Sequence, residues 1–365
     1  DESARACWDF VKPGGRIVPW GHRTWSHRGL ARYAGRRHYL APTDDSYVAI
    51  ACGHYHSAAI RCDSSIVCWG QELNGEYVGA PTGLSGFVAI ACGNLINAAL
   101  LYDGRIVGWG RGAFVDGVVA PPAGGGYVAI ECGWGHAVAL HADGHVVTFG
   151  ATSDDSPDGA DFVEIACGWQ FSLALRKDGR IAVWGSNQKN QHSGAPAGPG
   201  YVAIAAGESH GVALHEEGHV VTWGSTRSLV PLPQGTSFIA IACGYERSVG
   251  LREDGAVSMW GSRTQYELLP GDRRHGYVAI ASCTGQHVAL DEGGHVVNLE
   301  SGRRQRQERD YPAPTGTGFV AIACGDHFAL GLRVEHTLSF QVKHALWQHW
   351  DQMCSFVADL MTRWC

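Results

Sequence analysis

The sequence lacks the features by which several common classes of protein are recognised. Its 365 residues contain no apolar run of 18, so no membrane-spanning helix is predicted. It has no Walker phosphate loop and no C-x-x-C pair, and its glycine-rich segments recur along the chain instead of marking one phosphate site. We therefore predict a non-enzymatic protein without a cofactor. The chain begins at Asp1 without a Met or a charged-then-apolar leader, which leaves a processed or truncated N-terminus open.

Charge is distributed unevenly along the chain. Residues 1–40 carry a net charge of +5, which leaves −12 for the rest of the chain, and a second basic cluster lies at residues 303–309. The candidate contacts for an acidic partner are Arg32, Arg36, Arg37, Arg303, Arg304 and Arg306. Because the acidic body repels phosphate, nucleic acid is not the expected partner. The alternative is a solvated tail and a solvated loop.

The chain repeats one short phrase eight times. Each copy is close to Y-V-A-I-A-C-G, and the starts lie 35 to 42 residues apart, which indicates an array of one small unit. The copies begin at Tyr47, Phe87, Tyr127, Phe162, Tyr201, Phe238, Tyr277 and Phe319. A second run, a tight turn such as Asp103-Gly104 and a third run ending in Trp-Gly follow, which predicts three strands with a hairpin.

The strands predict the blades of a β-propeller. A period of two places Val48, Ile50 and Cys52 of the first strand on one face and the intervening residues on the other, and neither face is charged. A fourth, outer strand is expected before several linkers, as at residues 77–78 and 118–119. Small four-stranded sheets covered on both faces by their neighbours are typical of a propeller.

The phrases resemble those of the regulator of chromosome condensation family of propellers. That family carries an A-x-G-x-x-H-S-x-A-L phrase followed by D-G-x-V-x-x-W-G. Residues 53–60, 133–140 and 207–214 resemble the first phrase and keep its histidine, as His56, His136 and His210. The resemblance covers about residues 14–332 and implies a propeller that is usually seven-bladed.

Two half repeats at the ends bear on the blade count. Residues 14–21 resemble the second half of a repeat, and residues 319–332 resemble a first half. Pairing them would close the ring and remove the exposed sheet edges. The expected fold is all-β, a propeller of seven or eight four-stranded blades followed by a C-terminal amphipathic helix. The expected division is a basic N-terminal segment (1–46), the repeats (47–332) and the helix (333–365).

Cysteine and histidine are abundant, but their positions follow the repeat. Six of the 12 cysteines occupy one repeat position, where we expect small buried side chains and no disulfide. Free thiols indicate a reducing compartment, so an intracellular location, cytoplasmic or nuclear, is predicted. The pairs His141 with His145 and His215 with His219 have a metal-like spacing, but each straddles a predicted exposed turn. We therefore expect no metal site.

The loops after the shared glycine differ between copies and are predicted to gather on one rim. Aromatic and arginine side chains are the usual anchors of protein interfaces. The candidate interaction residues are His54, Tyr55, Trp134, Trp169, Tyr245 and Arg247. The alternative is a set of variable surface loops that bind nothing.

The C-terminal segment departs from the repeat. Residues 333–365 contain no Gly or Pro, and one apolar stripe has helical spacing. The stripe consists of Leu346, Trp350, Met353, Val357, Leu360 and Trp364. We predict a helix that docks on the propeller or on a partner.

The predicted function is non-enzymatic protein–protein interaction, as a propeller or scaffold whose partner is another protein. The resemblance implies one alternative, a guanine-nucleotide exchange factor for a Ran-type small GTPase or a chromatin-associated regulator. A weaker alternative is an ultraviolet-B photoreceptor-like protein. Its relatives carry G-W-R-H-T copies, of which only Trp134 and Trp169 match the tryptophan here, without the following arginine.

Overall fold

Every regular secondary-structure element among the described residues is a β-strand. The computed structural model describes residues 14–21, 41–70, 79–110, 120–150, 155–225, 233, 235–261, 266–268, 276–284, 286–299, 312–326 and 328–334. These ranges contain 25 strands, β1 to β25, arranged in eight antiparallel sheets. The all-β prediction is therefore confirmed for the described residues.

We call the eight sheets blades 1 to 8. Blade 1 is β2 (Tyr47–Cys52), β3 (His56–Arg61) and β4 (Ile66–Gly70); blade 2 is β5 (Phe87–Cys92), β6 (Ile96–Leu101) and β7 (Ile106–Gly110); blade 3 is β8 (Tyr127–Cys132), β9 (His136–His141) and β10 (Val146–Gly150); blade 4 is β11 (Phe162–Cys167), β12 (Phe171–Arg176) and β13 (Ile181–Gly185). Blade 5 is β14 (Tyr201–Ala206), β15 (His210–His215) and β16 (Val220–Gly224); blade 6 is β17 (Phe238–Cys243), β18 (Arg247–Arg252), β19 (Val257–Gly261) and β20 (Tyr266–Leu268); blade 7 is β21 (Tyr277–Ser282), β22 (His287–Asp291) and β23 (Val296–Asn298). Blade 8 is β24 (Phe319–Gly325), β25 (Phe328–Arg333) and β1 (Arg16–Gly21).

The two half repeats form one blade and close the ring. Strand β1 pairs with β25, so the third strand of blade 8 comes from the beginning of the chain. Each first strand lies beside the first strand of the next blade, and β24 lies beside β2. The described residues thus form eight blades around a channel lined by the first strands, which resolves the choice between seven and eight.

The predicted fourth strand is described in one blade. Blade 6 has four strands, and the other seven have three among the described residues. The strands expected at residues 77–78 and 118–119 lie outside the described residues, as does all but the start of the segment 333–365 predicted to be a helix. Its first residue, Arg333, is the last residue of strand β25 and pairs with Arg16, which corrects that boundary.

The first strand of each blade contains a β-bulge that the sequence pattern does not reveal. In blade 1 the register slips between Tyr47 and Ala49. Tyr47 therefore packs with Ile50 and Cys52 against blade 8, whereas Val48 and Ala49 pack against blade 2. The predicted grouping of Val48 with Ile50 and Cys52 is wrong, because one extra residue reverses the alternation of side chains.

The glycine that follows each first strand makes close contact between blades. A Cβ on Gly207 would stand 2.6 Å from the carbonyl oxygen of Gly244 in the next blade. The same overlap with the next blade recurs around the channel at Gly53, Gly93, Gly133, Gly168, Gly244 and Gly325. Glycine recurs in the repeat because the backbone of the neighbouring blade occupies the place of a side chain.

In three of the odd-numbered blades, a buried histidine contacts the next blade. It begins the second strand of blades 1, 3 and 5, and its Nε2 contacts a side-chain oxygen of the blade that follows. The pairs are His56 with Asn97 Oδ1 (2.5 Å), His136 with Ser172 Oγ (2.8 Å) and His210 with Ser248 Oγ (2.9 Å). Burial lowers the pKa of His136 and of His210 to about 4, so both imidazoles are neutral near pH 7.

A tryptophan joins blades 3 and 4, 5 and 6, and 7 and 8 in the opposite direction. The indole Nε1 of an even-numbered blade donates to the preceding odd-numbered blade. The bonds run from Trp184 to Thr148 Oγ1 (2.9 Å), from Trp260 to Thr222 Oγ1 (3.0 Å) and from Trp20 to Asn298 Oδ1 (2.9 Å). Odd blades begin with Tyr and even blades with Phe. Each of the blade pairs 1–2, 3–4, 5–6 and 7–8 is thus joined by the histidine bond, the tryptophan bond or both, which favours an even number of blades.

Candidate interaction surface

The loops after the shared glycines meet at one mouth of the channel, as predicted. We call them the rim loops; they comprise residues 54–55, 94–95, 134–135, 169–170, 208–209, 245–246, 284 and 326. Backbone N–H groups of one loop donate to carbonyl groups of the next. These bonds run from Asn94 to Gly133 (3.2 Å), Trp134 to Trp169 (3.0 Å), Glu208 to Tyr245 (3.2 Å) and Asp326 to His54 (3.3 Å). The bonds fix the loops relative to one another.

Three aromatic side chains from different blades form a cluster at this mouth. Trp134 and Trp169 stack with ring centroids 5.8 Å apart and planes 13° apart. Tyr245 of blade 6 contacts Trp169 edge-on at 5.7 Å. All three side chains are half-buried, so each presents part of its ring to solvent. We call Trp134, Trp169 and Tyr245 the rim aromatic cluster.

Two carboxyl groups lie in the rim loops, and Glu208 is the one that contacts the rim aromatic cluster. The Tyr245 hydroxyl hydrogen-bonds Glu208, and burial followed by this bond raises the pKa of Tyr245 to about 12. Burial also raises the pKa of Glu208 above its usual range. Asp326 is almost fully buried, with Oδ2 3.1 Å from His54 Nε2, and burial raises its pKa. The mouth therefore combines aromatic faces with carboxyl groups, a combination that suits a cationic group.

The other predicted rim residues take different positions. Tyr55 packs edge-on against His54 with centroids 4.1 Å apart. Arg247 is the first residue of β18, not a loop residue, and it occupies the position that histidine holds in odd-numbered blades. Burial, and then the charge of Arg247, lower the pKa of His287 in blade 7 to about 3. Arg247 thus acts between blades 6 and 7, and it is half-buried.

The remaining predicted contacts lie outside the described residues. They are the basic candidates Arg32, Arg36, Arg37, Arg303, Arg304 and Arg306 and the helix candidates Leu346, Trp350, Met353, Val357, Leu360 and Trp364. Their roles stay predictions.

Two short strings in blade 5 match catalytic motifs in spelling but not in structure. Residues 207–211 read G-E-S-H-G, yet they connect two strands, whereas a nucleophile elbow joins a strand to a helix. Ser209 is buried, and His210 Nε2 contacts Ser248 of the next blade. Residues 215–219 read H-E-E-G-H and form a hairpin turn, not the helix of a metalloprotease. Neither string has the context that its chemistry requires.

The cysteines of the described residues are all free thiols. Those at the repeat position are partly buried beside the channel, and Cys132 Sγ lies 3.5 Å from the carbonyl oxygen of Ala91 in blade 2. Burial raises the pKa of Cys68 and of Cys243 to about 12. These thiols are therefore protonated and poor nucleophiles near pH 7.

The fold and the rim define a class of protein, a β-propeller whose chemistry suits binding. The repeat described as "Regulator of chromosome condensation (RCC1) repeat" matches residues 47–76, 127–155, 162–191 and 201–228. Four of the repeats therefore match the RCC1 repeat, and the resemblance seen in the sequence is confirmed for them.

Several solved structures share the fold. Prp20p from Saccharomyces cerevisiae is 16% identical, with 96% of this chain and 98% of that chain covered and a TM-score of 0.57. The ectodomain of the Arabidopsis thaliana receptor kinase ACR4 is 22% identical, with 67% and 93% covered and a TM-score of 0.52. Human WBSCR16 is 14% identical, with 76% and 99% covered and a TM-score of 0.52.

The comparisons leave the location of the protein open. The search of curated proteins finds no match. Among the described residues, no helix is long and apolar enough to cross a membrane. Because one similar structure is a receptor ectodomain, the fold does not assign a compartment. The predicted reducing, intracellular location rests on the free thiols alone.

Proposed function

We propose that the protein is a non-enzymatic interaction propeller that binds a basic segment of a partner protein at the rim. The observation that carries this proposal is the rim aromatic cluster, in which the Tyr245 hydroxyl bonds Glu208. Clustered, half-buried aromatics on a rigid frame supply apolar contact without a large loss of entropy. A lysine or arginine side chain gains both a ring face and a carboxylate at such a place.

The frame supports this use of the rim. The loops are held by backbone bonds to their neighbours and by the contacts of the channel glycines. A partner therefore meets groups whose positions are already fixed, which reduces the cost of binding. The aromatic side chains occur in only some copies of the repeat, so the fold itself does not require them.

Peptide selection tests the proposal. A displayed library of random peptides is selected on the wild-type chain and, in parallel, on a Trp169→Ala, Tyr245→Ala variant. We expect Lys- or Arg-rich peptides to be enriched on the wild type, with affinity for the variant lower by about 30-fold, which corresponds to about 2 kcal/mol.

A matched control removes an aromatic side chain elsewhere. Tyr102 is 65% exposed and lies in the hairpin turn of blade 2, at the opposite end of the strands from the rim loops. A Tyr102→Ala variant should select and bind the same peptides as the wild type. Equal enrichment on the wild type and the rim variant would contradict the proposal.

A second candidate function rests on the similarity to Prp20p, whose structure was described with its binding properties to Gsp1p and histones. On that reading the chain promotes nucleotide exchange on a Ran-type GTPase or binds chromatin. Release of a fluorescent GDP from such a GTPase, measured with and without the chain, tests nucleotide exchange.

Histone capture by the whole chain and by a version lacking residues 1–40 tests chromatin binding. No finding supports the ultraviolet-B alternative.

A further inference from the structure

Two hairpins on the other face of the propeller gather metal-ligating side chains. The turn between the second and third strands carries His141, Asp143 and His145 in blade 3, and the corresponding turn of blade 5 carries His215, Glu217 and His219. In each hairpin one potential ligand atom from each residue lies within 4.8 Å of the other two. These turns lie at the opposite end of the strands from the rim loops, because successive strands are antiparallel.

The distances suit one small cation per hairpin. In blade 3, Asp143 Oδ1 lies 2.8 Å from His141 Nδ1 and 2.5 Å from His145 Nδ1. In blade 5, Glu217 Oε2 lies 3.9 Å and 3.8 Å from the Nδ1 atoms of His215 and His219. Ligand atoms about 2.0–2.1 Å from a tetrahedral zinc ion lie roughly 3.3 Å from one another. The carboxylate-to-nitrogen distances of both sets reach that separation when the side chains move by less than about 1 Å.

The first histidine of each hairpin is held in position. His141 packs edge-on against Tyr127 at 5.3 Å, and its Nε2 faces the backbone of Gly126. Its Nδ1 faces the turn and accepts the backbone N–H of Asp143 at 3.3 Å, a long bond that a metal ion at Nδ1 would replace. His215 has the same surroundings, with Tyr201 at 5.2 Å and the Glu217 N–H at 3.2 Å. The second histidine stacks on the first, with centroids 4.5 Å apart in blade 3.

In the hairpins of blades 2 and 4, an arginine neutralises the carboxylate of the turn. In blade 4 the Arg180 guanidinium pairs with Asp178, and in blade 2 Arg105 Nε lies 2.7 Å from Asp103. The carboxylate is therefore a shared feature of these turns, and an arginine supplies its positive charge. In blades 3 and 5 a pair of imidazoles replaces the arginine, and imidazole is a preferred ligand of zinc, copper and nickel.

We propose that each of these two hairpins binds one divalent transition-metal ion of the zinc class through two Nδ1 atoms and one carboxylate. The fourth position is open to water or to a ligand from another molecule. The sequence predicted no metal here because the histidines fall in an exposed turn. The turn is present, and the carboxylate between the two histidines supplies a third ligand that the histidine spacing alone does not reveal. The proposal is independent of the rim.

Titration with Zn²⁺ in a calorimeter tests the proposal. The variants are His145→Arg in blade 3 and His219→Arg in blade 5, and arginine is accepted at this position in the hairpins of blades 2 and 4. The wild type should bind two more zinc ions than the double variant, and each single variant should lose one. All the variants retain the cysteines, so zinc ions bound by cysteine cancel when the stoichiometries of two variants are subtracted.

A His192→Ala variant is the matched control, because it removes one histidine outside the hairpins. It should bind as many zinc ions as the wild type. Circular dichroism verifies that every variant is folded. Equal zinc binding by the wild type and the double variant would overturn the proposal, as would a loss in the control equal to the loss in His145→Arg. Substitution by Co²⁺ adds a second readout, since a nitrogen and oxygen site lacks the thiolate absorption band that cysteine ligands produce.

Discussion

At the residue scale, the channel glycines show how strongly one contact can constrain a repeat. A Cβ at Gly207 would lie 2.6 Å from the carbonyl oxygen of Gly244 and would overlap the imidazole of His210. Both obstacles belong to the packed ring, so neither can move far. The recurrence of glycine in the phrase is readable from the sequence, but the reason for it appears only when the next blade is in place.

We expect Gly207→Ala to destabilise the protein by about 2 kcal/mol or more through this overlap. Gly198 provides the matched control, because a Cβ there would meet nothing within 4 Å. Gly198→Ala should be neutral or stabilising by up to about 1 kcal/mol, since it restricts the unfolded chain. The midpoint of urea unfolding measures both. Equal midpoints for the two variants would contradict the role given to the channel glycines.

Two carboxyl groups replace alanine in the first strands of blades 3 and 4. Glu131 is accessible from the channel but stands deep within the protein, and this loss of bulk water, followed by the charge of Glu164, raises its pKa to about 7. Burial raises the pKa of Glu164 to about 7 as well, although its carboxylate accepts the Ile204 N–H at 3.4 Å. The folded protein therefore holds these protons more tightly than the unfolded chain.

This difference predicts a pH dependence of stability. The stability contributed by a raised pKa is present below about pH 4.5 and is lost as the pH rises through about 7. A Glu131→Ala, Glu164→Ala variant should therefore gain melting temperature relative to the wild type, and the gain should be larger at pH 8 than at pH 5. Melting curves at both pH values measure it. A gain that is independent of pH would contradict the raised pKa values.

At the scale of the elements, the two-blade unit is the main finding. The histidine and tryptophan bonds run within the pairs 1–2, 3–4, 5–6 and 7–8, and each pair begins with a Tyr strand followed by a Phe strand. The alternation of Tyr and Phe is visible in the sequence, but nothing in it shows that the histidine bonds to the next blade.

The bond between His136 and Ser172 allows a test of the unit. Ser172→Ala removes the partner of a buried imidazole and should destabilise the protein by about 1–3 kcal/mol. Ser57 occupies the same position in blade 1, where the preceding blade supplies Phe328 in place of histidine. Ser57→Ala should cost less than Ser172→Ala. Urea unfolding compares the two variants. An equal loss of unfolding free energy in both would contradict the role assigned to the histidine bond.

The sequence predicted the strands and the split blade because both depend on local pattern. Turn residues and apolar runs define each strand, and the half repeats at residues 14–21 and 319–332 complete one another. The bulge at Tyr47 was missed because a period of two assumes regular pairing. The rim aromatic cluster was predicted as single loop residues. Its geometry depends on contacts between blades. Arg247 belongs to a strand because it pairs with Gly261 within blade 6.

At the scale of the whole molecule, the first described strand holds the ring closed. Strand β1 contributes the buried side chains of Ile17 and Trp20 to blade 8 and covers the edge of β25. Burial of two such side chains contributes about 1.5–3 kcal/mol each. An uncovered edge also exposes backbone groups that can pair with a second chain.

A version lacking residues 1–21 should therefore melt at a lower temperature than a version lacking residues 1–13, which retains β1. Light scattering should also show association of the shorter chain. Identical melting temperatures for the two versions would contradict closure of the ring by β1.

The proposal that the rim is the binding surface is tested most directly by hydrogen exchange. The exchange of the whole chain is measured by mass spectrometry with and without a peptide selected on it. We predict that protection on binding concentrates in the rim loops of blades 3 to 6, which contain Trp134, Trp169, Glu208 and Tyr245. Protection confined to the hairpins of the opposite face, or to residues 333–365, would contradict the account.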